Sequence, residues 1–122
     1  MTETQSAAAV MMIRPLRFTA NPLTAADNAF QKDEIPPVEM VLEAAHREFD
    51  ALAAKLTAAG VQVCVFDDTI EPETPDAVFP NNWITTHVDG TVALYPMLAE
   101  NRRTERRPEL IGRLAAECGF RV

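Results

Sequence analysis

Residues 36–68 read PPVEMVLEAAHREFDALAAKLTAAGVQVCVFDD, and this stretch decides the fold class. Pro36-Pro37 opens a helix. Behind it Val38, Val41, Leu42, Ala45, Phe49, Leu52, Ala53 and Leu56 recur at helical spacing and make one apolar stripe. Glu39, Glu43, Arg47, Glu48 and Lys55 take the other face. Gly60 follows the last turn, where a left-handed residue normally ends a helix. Val61 to Phe66 is β-branched and almost wholly apolar, and it ends in Asp67-Asp68. A strand of that kind is covered on both faces, as in a sheet flanked by helices. The order of helix and buried strand gives an α/β chain.

Upstream, Ala8 to Arg14 is a short apolar run stopped by Pro15, a second buried strand. Residues 1–7 are expected to be a disordered tail, with residues 8–122 forming one domain portion. The stretch from Phe18 to Lys32 is turn-rich, and Thr24 could cap a helical turn through Asp27. Downstream, Thr69 to Pro80 carries three prolines and reads as an ordered loop. Trp83 to Val88 and Thr91 to Tyr95 read as strands joined by Asp89-Gly90, a dipeptide suited to a tight hairpin turn. Pro108 starts a second helix with Leu110, Ile111, Leu114, Ala115 and Cys118 as its buried stripe, and Gly119 ends it. Phe120-Arg121-Val122 begins another strand, so the chain stops in what reads as an unfinished unit.

A net charge of -7 argues against nucleic acid as a partner, since phosphate binding needs a basic surface. It suits a protein that handles small molecules. No apolar run approaches a membrane-spanning length, and Ala7 to Ile13 is too short for a secretory signal. A cytoplasmic protein with no membrane partner is expected. Cys64 and Cys118 make no disulfide framework, and a helix carboxyl end beside Glu117 opposes thiolate formation at Cys118. His46 lies beside the helix stripe and His87 late in a strand, positions that suit structural roles.

Three clusters carry candidate chemistry. Asp67, Asp68, Glu71, Glu73 and Asp76 follow the carboxyl end of a buried strand, where α/β proteins place ligands. They recognise a donor-rich group or form a solvated acidic loop. Their spacing fits no calcium loop, and neither metal nor cofactor is expected. Asn81-Asn82 stands beside Trp83 just before a strand. Each Asn offers a donor and an acceptor, so the pair can read a planar amide or urea, or it serves a turn. Arg102, Arg103, Arg106 and Arg107 either fork a carboxylate or form a solvated basic face with Glu105 pairing one of them.

Five blocks in order resemble one family: Met11 to Pro15, Asn28 to Gln31, Pro75 to Trp83, Leu94 to Met97 and Asn101 to Arg107. The chain resembles the citrulline-utilising, arginine-deiminase-related hydrolases of the amidinotransferase, or pentein, superfamily. The resemblance implies an α/β propeller of ββαβ modules, incomplete here, with about one to two modules present. It implies hydrolysis through a cysteine nucleophile and a histidine acid/base carried in later modules, so that this chain would be inactive alone. By the same resemblance Asp76 and Phe79 fall in the substrate-contacting Pro-Asp-x-Val-Phe block of dimethylarginine hydrolases. Asn82, with Asn81 beside it, falls where guanidino-specific relatives carry an Asp. Arg102 or Arg103 falls where relatives hold the substrate carboxylate.

The Asn in place of Asp has a physical consequence. A carboxylate neutralises a guanidinium but would repel the oxygen of a neutral ureido group, whereas Asn can donate to that oxygen. The expected reaction is citrulline to ornithine, ammonia and carbon dioxide. Asn82 and the arginine pair would then face one pocket. The alternatives are a non-catalytic amino-acid-binding or interaction module, or a truncated relic. Unpaired sheet edges would lead the chain to self-associate or to take up a complementing carboxy-terminal segment.

Overall fold

Ala9–Arg14 (β1) and Gln62–Asp67 (β2) pair in parallel, in register from Ala9 opposite Gln62 to Arg14 opposite Asp67. The computed structural model describes residues 5–18 and 38–121. Parallel strands need a long crossover, and the helix Val38–Ala58 (α1) lies within that connection. The turn expected around Thr24–Asp27, the block Asn28 to Gln31, the Pro36-Pro37 opening and residues 1–4 of the expected tail lie outside the described residues.

After β2 the loop runs without regular structure to a short 3₁₀ turn, Pro80–Asn82. An antiparallel hairpin follows, Ile84–Thr86 (β3) with Val92–Leu94 (β4). A 3₁₀ stretch, Glu100–Glu105, leads to the helix Glu109–Cys118 (α2). The chain is thus mixed α/β with two small sheets, β1–β2 and β3–β4.

The helix ends follow from local chemistry. Gly60 sits at φ 91°, the Gly60 amide donates to the Thr57 carbonyl and the Val61 amide to the Leu56 carbonyl. These two bonds are the paired closure of a Schellman motif, which satisfies carbonyls the helix leaves open. The hairpin loop is one residue longer than the expected two-residue turn. The Gly90 amide donates to the His87 carbonyl, and the His87 amide to the Thr91 carbonyl. Val88, Asp89 and Gly90 therefore form a three-residue loop with Gly90 at φ 92°.

The core gathers Ile13, Cys64 and Phe66 from the parallel sheet with Ala77, Trp83, Ile84, Met97, Leu110 and Leu114. Trp83 is 1% exposed and Leu110 fully enclosed. Each such side chain contributes about 1.5–3 kcal/mol of transfer free energy. Two expectations are revised. Val65 remains 42% exposed, so β2 is only partly covered on its second face. Along α1, Phe49 is buried but Leu52 is exposed, and Ala115 of the α2 stripe is exposed as well. Among the described residues only a two-stranded sheet underlies α1, too narrow to cover the whole stripe. Phe120 and Arg121 join no strand.

Polar side chains tie α1 to β1. Arg14 grips Asp50 with two bonds of 3.0 Å, Nε to Oδ1 and Nη2 to Oδ2. His46 Nε2 lies 2.6 Å from the Pro15 carbonyl, a structural contact. No helix among the described residues is long and apolar enough to cross a membrane.

Candidate functional site

The Pro75–Trp83 block is shaped by successive tight turns. The Phe79 amide donates to the Asp76 carbonyl at 3.0 Å and the Asn82 amide to the Phe79 carbonyl at 3.3 Å. The Trp83 amide closes the 3₁₀ turn on the Pro80 carbonyl. Trp83 is buried, which fixes the block to the core and leaves Phe79, Asn81 and Asn82 exposed. The spacing of three residues in Asp76, Phe79 and Asn82 is therefore a spacing of turns.

Arg102 crosses from the 3₁₀ stretch to this block. Its Nη1 donates to Asn82 Oδ1 at 3.0 Å, and its Nη2 donates to the Asp76 carbonyl at 3.2 Å. Its Nε also lies 3.5 Å from Asp76 Oδ2. Behind it stands Glu105, whose side chain is fully buried. Glu105 accepts from Arg102 Nε on both oxygens at 3.2 Å and from Arg102 Nη2 at 3.0 Å. The Asp76 amide adds a further bond to Glu105 Oε2 at 2.8 Å. Burial pushes the Glu105 carboxyl above its ordinary value, against the opposing pull of Arg102 and the Asp76 amide.

Asp76, Asn82 and Arg102 thus meet in one network. Arg103 turns elsewhere: its Nε donates to the Met97 carbonyl at 3.2 Å, and its Nη1 lies 4.0 Å from Glu100. Only one arginine of the pair reaches Asn82. The hidden member, Glu105, was visible in the sequence merely as a possible partner for an arginine. Its i, i+3 spacing to Arg102 was the available signal, and burial is what gives it weight.

The acidic run does not act as a unit. Asp68 is buried and accepts from Thr74 Oγ1 at 2.6 Å, while Asp76 belongs to the Arg102 network. Glu71 and Glu73 are exposed. Among the described residues no group of three or more His, Cys, Asp or Glu could hold a metal ion.

A cavity of about 560 Å³ lies away from this network, between the amino-terminal residues, β1, the hairpin loop and the end of α2. Cys64 and Cys118 both line it, and neither is in a disulfide. Burial pushes the Cys64 thiol up to about 12, helped by a hydrogen bond with Cys118, so its thiolate is suppressed. None of Asp76, Phe79, Asn81, Asn82, Arg102 and Arg103 lines that cavity; Phe79, Asn81, Asn82 and Arg103 are exposed, whereas the side chains of Asp76 and Arg102 are largely buried.

A family model described as N,N dimethylarginine dimethylhydrolase, eukaryotic, matches residues 14–120. No curated protein and no solved structure matches the chain.

Proposed function

Because the chain belongs to the N,N dimethylarginine dimethylhydrolase family, which fits the pentein superfamily, we propose that it forms the amino-terminal substrate-binding part of a hydrolase. Its substrate is an amino acid bearing a ureido or guanidino group, and the bond broken is carbon–nitrogen. Within that class we infer a ureido substrate such as citrulline. Asp76, Phe79, Asn81, Asn82 and one of Arg102 and Arg103 take the binding roles, on an incomplete α/β propeller. The family description itself names a guanidino compound, so dimethylarginine-like substrates are the second reading.

One observation carries the ureido choice. The Asn82 Oδ1 accepts from Arg102, so Nδ2 is the end of the amide that Arg102 leaves for a ligand. A donor there suits a carbonyl oxygen. It mismatches a guanidinium, which presents donors only. An Asp at this position would present an acceptor and reverse the preference. Arg102 spends its Nε and Nη2 edge on Glu105 and Asp76 and its Nη1 on Asn82, whereas Arg103 bonds the Met97 carbonyl and lies near Glu100.

In the reaction the cysteine thiolate of a complete active site would attack the ureido carbon and ammonia would leave; water would then cleave the carbon–sulfur bond, and the resulting carbamic acid would lose carbon dioxide to give ornithine. The residues of this chain bind and orient. The test is calorimetric titration of the protein with L-citrulline and L-arginine. Tighter binding of citrulline supports the proposal. Equal or tighter binding of arginine favours the guanidino reading, and no binding of either overturns the site.

A further inference from the structure

We propose that Glu105 is the positioning residue of this site, a carboxylate that touches no substrate yet sets the direction in which Asn82 presents its amide. The inference rests on the ureido reading and adds the group that enforces it.

The two ends of an Asn amide are nearly equal in size, so packing alone does not choose between them. A charged donor does. With Arg102 Nη1 at 3.0 Å, the oxygen must face inward, because the reversed amide would set N–H against N–H. That choice holds only while the guanidinium stays in place. Arginine loses much rotamer freedom when fixed, and an unanchored one would turn among several positions.

Glu105 provides the anchor. It engages the Nε and Nη2 edge of Arg102 at 3.0 to 3.2 Å, which leaves Nη1 as the nitrogen directed at Asn82. The same carboxylate holds the Asp76 amide at 2.8 Å, and Arg102 Nη2 holds the Asp76 carbonyl. The Asp76 backbone is therefore fixed from both sides. Two of the substrate-facing positions, Asp76 and Asn82, depend on one enclosed carboxylate.

A buried ion pair by itself is weak support for stability, since apolar replacements often serve as well. What an apolar residue could not do is hold a guanidinium by one edge. Asn82 lies 23 residues before Glu105 in the chain, so no local backbone constraint substitutes for the link.

The experiment is NMR of the side-chain amide of Asn82, identified by its loss in Asn82→Ser, and of the Nε–H of Arg102. In the unaltered protein the amide order parameter should be near that of rigid backbone, about 0.85. The Arg102 Nε–H should be visible at neutral pH. In Glu105→Gln the order parameter should fall below about 0.6, the Nε–H signal should vanish, and citrulline preference should drop about fivefold, one hydrogen bond's worth. An Asn82 amide still rigid in Glu105→Gln overturns the inference and leaves the ureido reading intact. A mobile Asn82 amide in the unaltered protein also overturns it, whether or not the variant folds. An amide rigid in the unaltered protein and mobile in Glu105→Gln, with no citrulline preference in either, supports the positioning role and sinks the ureido reading.

Discussion

Arg102 Nη1 donates to Asn82 Oδ1 over 3.0 Å, which joins the stretch before α2 to the turn before β3. The contact makes residue 82 electrically specific. In Asn82→Asp a carboxylate would pair with Arg102 and present a second acceptor outward. Citrulline binding should weaken by about tenfold and arginine binding should gain, as expected for a hydrogen bond to a charged group. Calorimetry of both ligands against both proteins measures the shift, and an unchanged ratio would defeat the assignment.

Leu110 is fully enclosed in the core. Leu110→Ala should cost about 2–5 kcal/mol, chiefly as cavity and lost transfer free energy. In a domain of this size the Tm should fall by roughly 10 °C or more. Ala115→Ser, on the exposed side of the same helix, should change it little. Thermal unfolding followed by circular dichroism separates the two.

Two glycines should respond with opposite sign. Gly60 sits at φ 91° with open space around a would-be Cβ, so Gly60→Ala should cost about 1 kcal/mol from backbone conformation alone. Gly112 lies inside α2, also with open space, and Gly112→Ala should stabilise by about 1 kcal/mol through helix propensity. Urea unfolding of the two variants would show midpoints displaced in opposite directions.

The Asp50 carboxyl is held below its usual value by the hydrogen-bonded Arg14 guanidinium. Because the folded value is depressed, the contribution is present above the ordinary carboxylate range. It is lost as pH falls through the folded value. Urea midpoints of the native chain and Asp50→Asn should differ at pH 7 and draw together as the pH is taken well below the ordinary carboxylate range. A gap that widens with acid would contradict the pairing.

Val88 is 85% exposed and Leu98 92% exposed, and Leu94 and Tyr95 are partly exposed. Apolar groups at such exposure favour association when they lie together. We expect the isolated chain to self-associate, and Leu98→Lys to reduce this. Light scattering that finds a monomer across the micromolar range would count against it.

The helix and strands were legible because their signals are periodic. The stripe from Val41 to Leu56, the stop at Gly60 and the apolar run Val61 to Phe66 locate α1 and β2 within a residue or two. The incomplete burial of Leu52 and Val65 was not legible, since periodicity shows which face is apolar and not how much lies against it. The Pro75–Trp83 and Asn101–Arg107 blocks stood out by composition. What composition could not give was the choice between adjacent arginines. Arg102 and Arg103 are chemically alike and only their positions in a 3₁₀ stretch separate them. Glu105 was obscured for a similar reason: one acid among arginines looks solvated until the fold encloses it.

Trp83, enclosed in the core, is the chain's single tryptophan and directly follows Asn82. The protein therefore carries its own optical reporter at the candidate site. Its emission should be blue-shifted in the native state, and a ligand that settles on the neighbouring amide would alter its intensity without any added label.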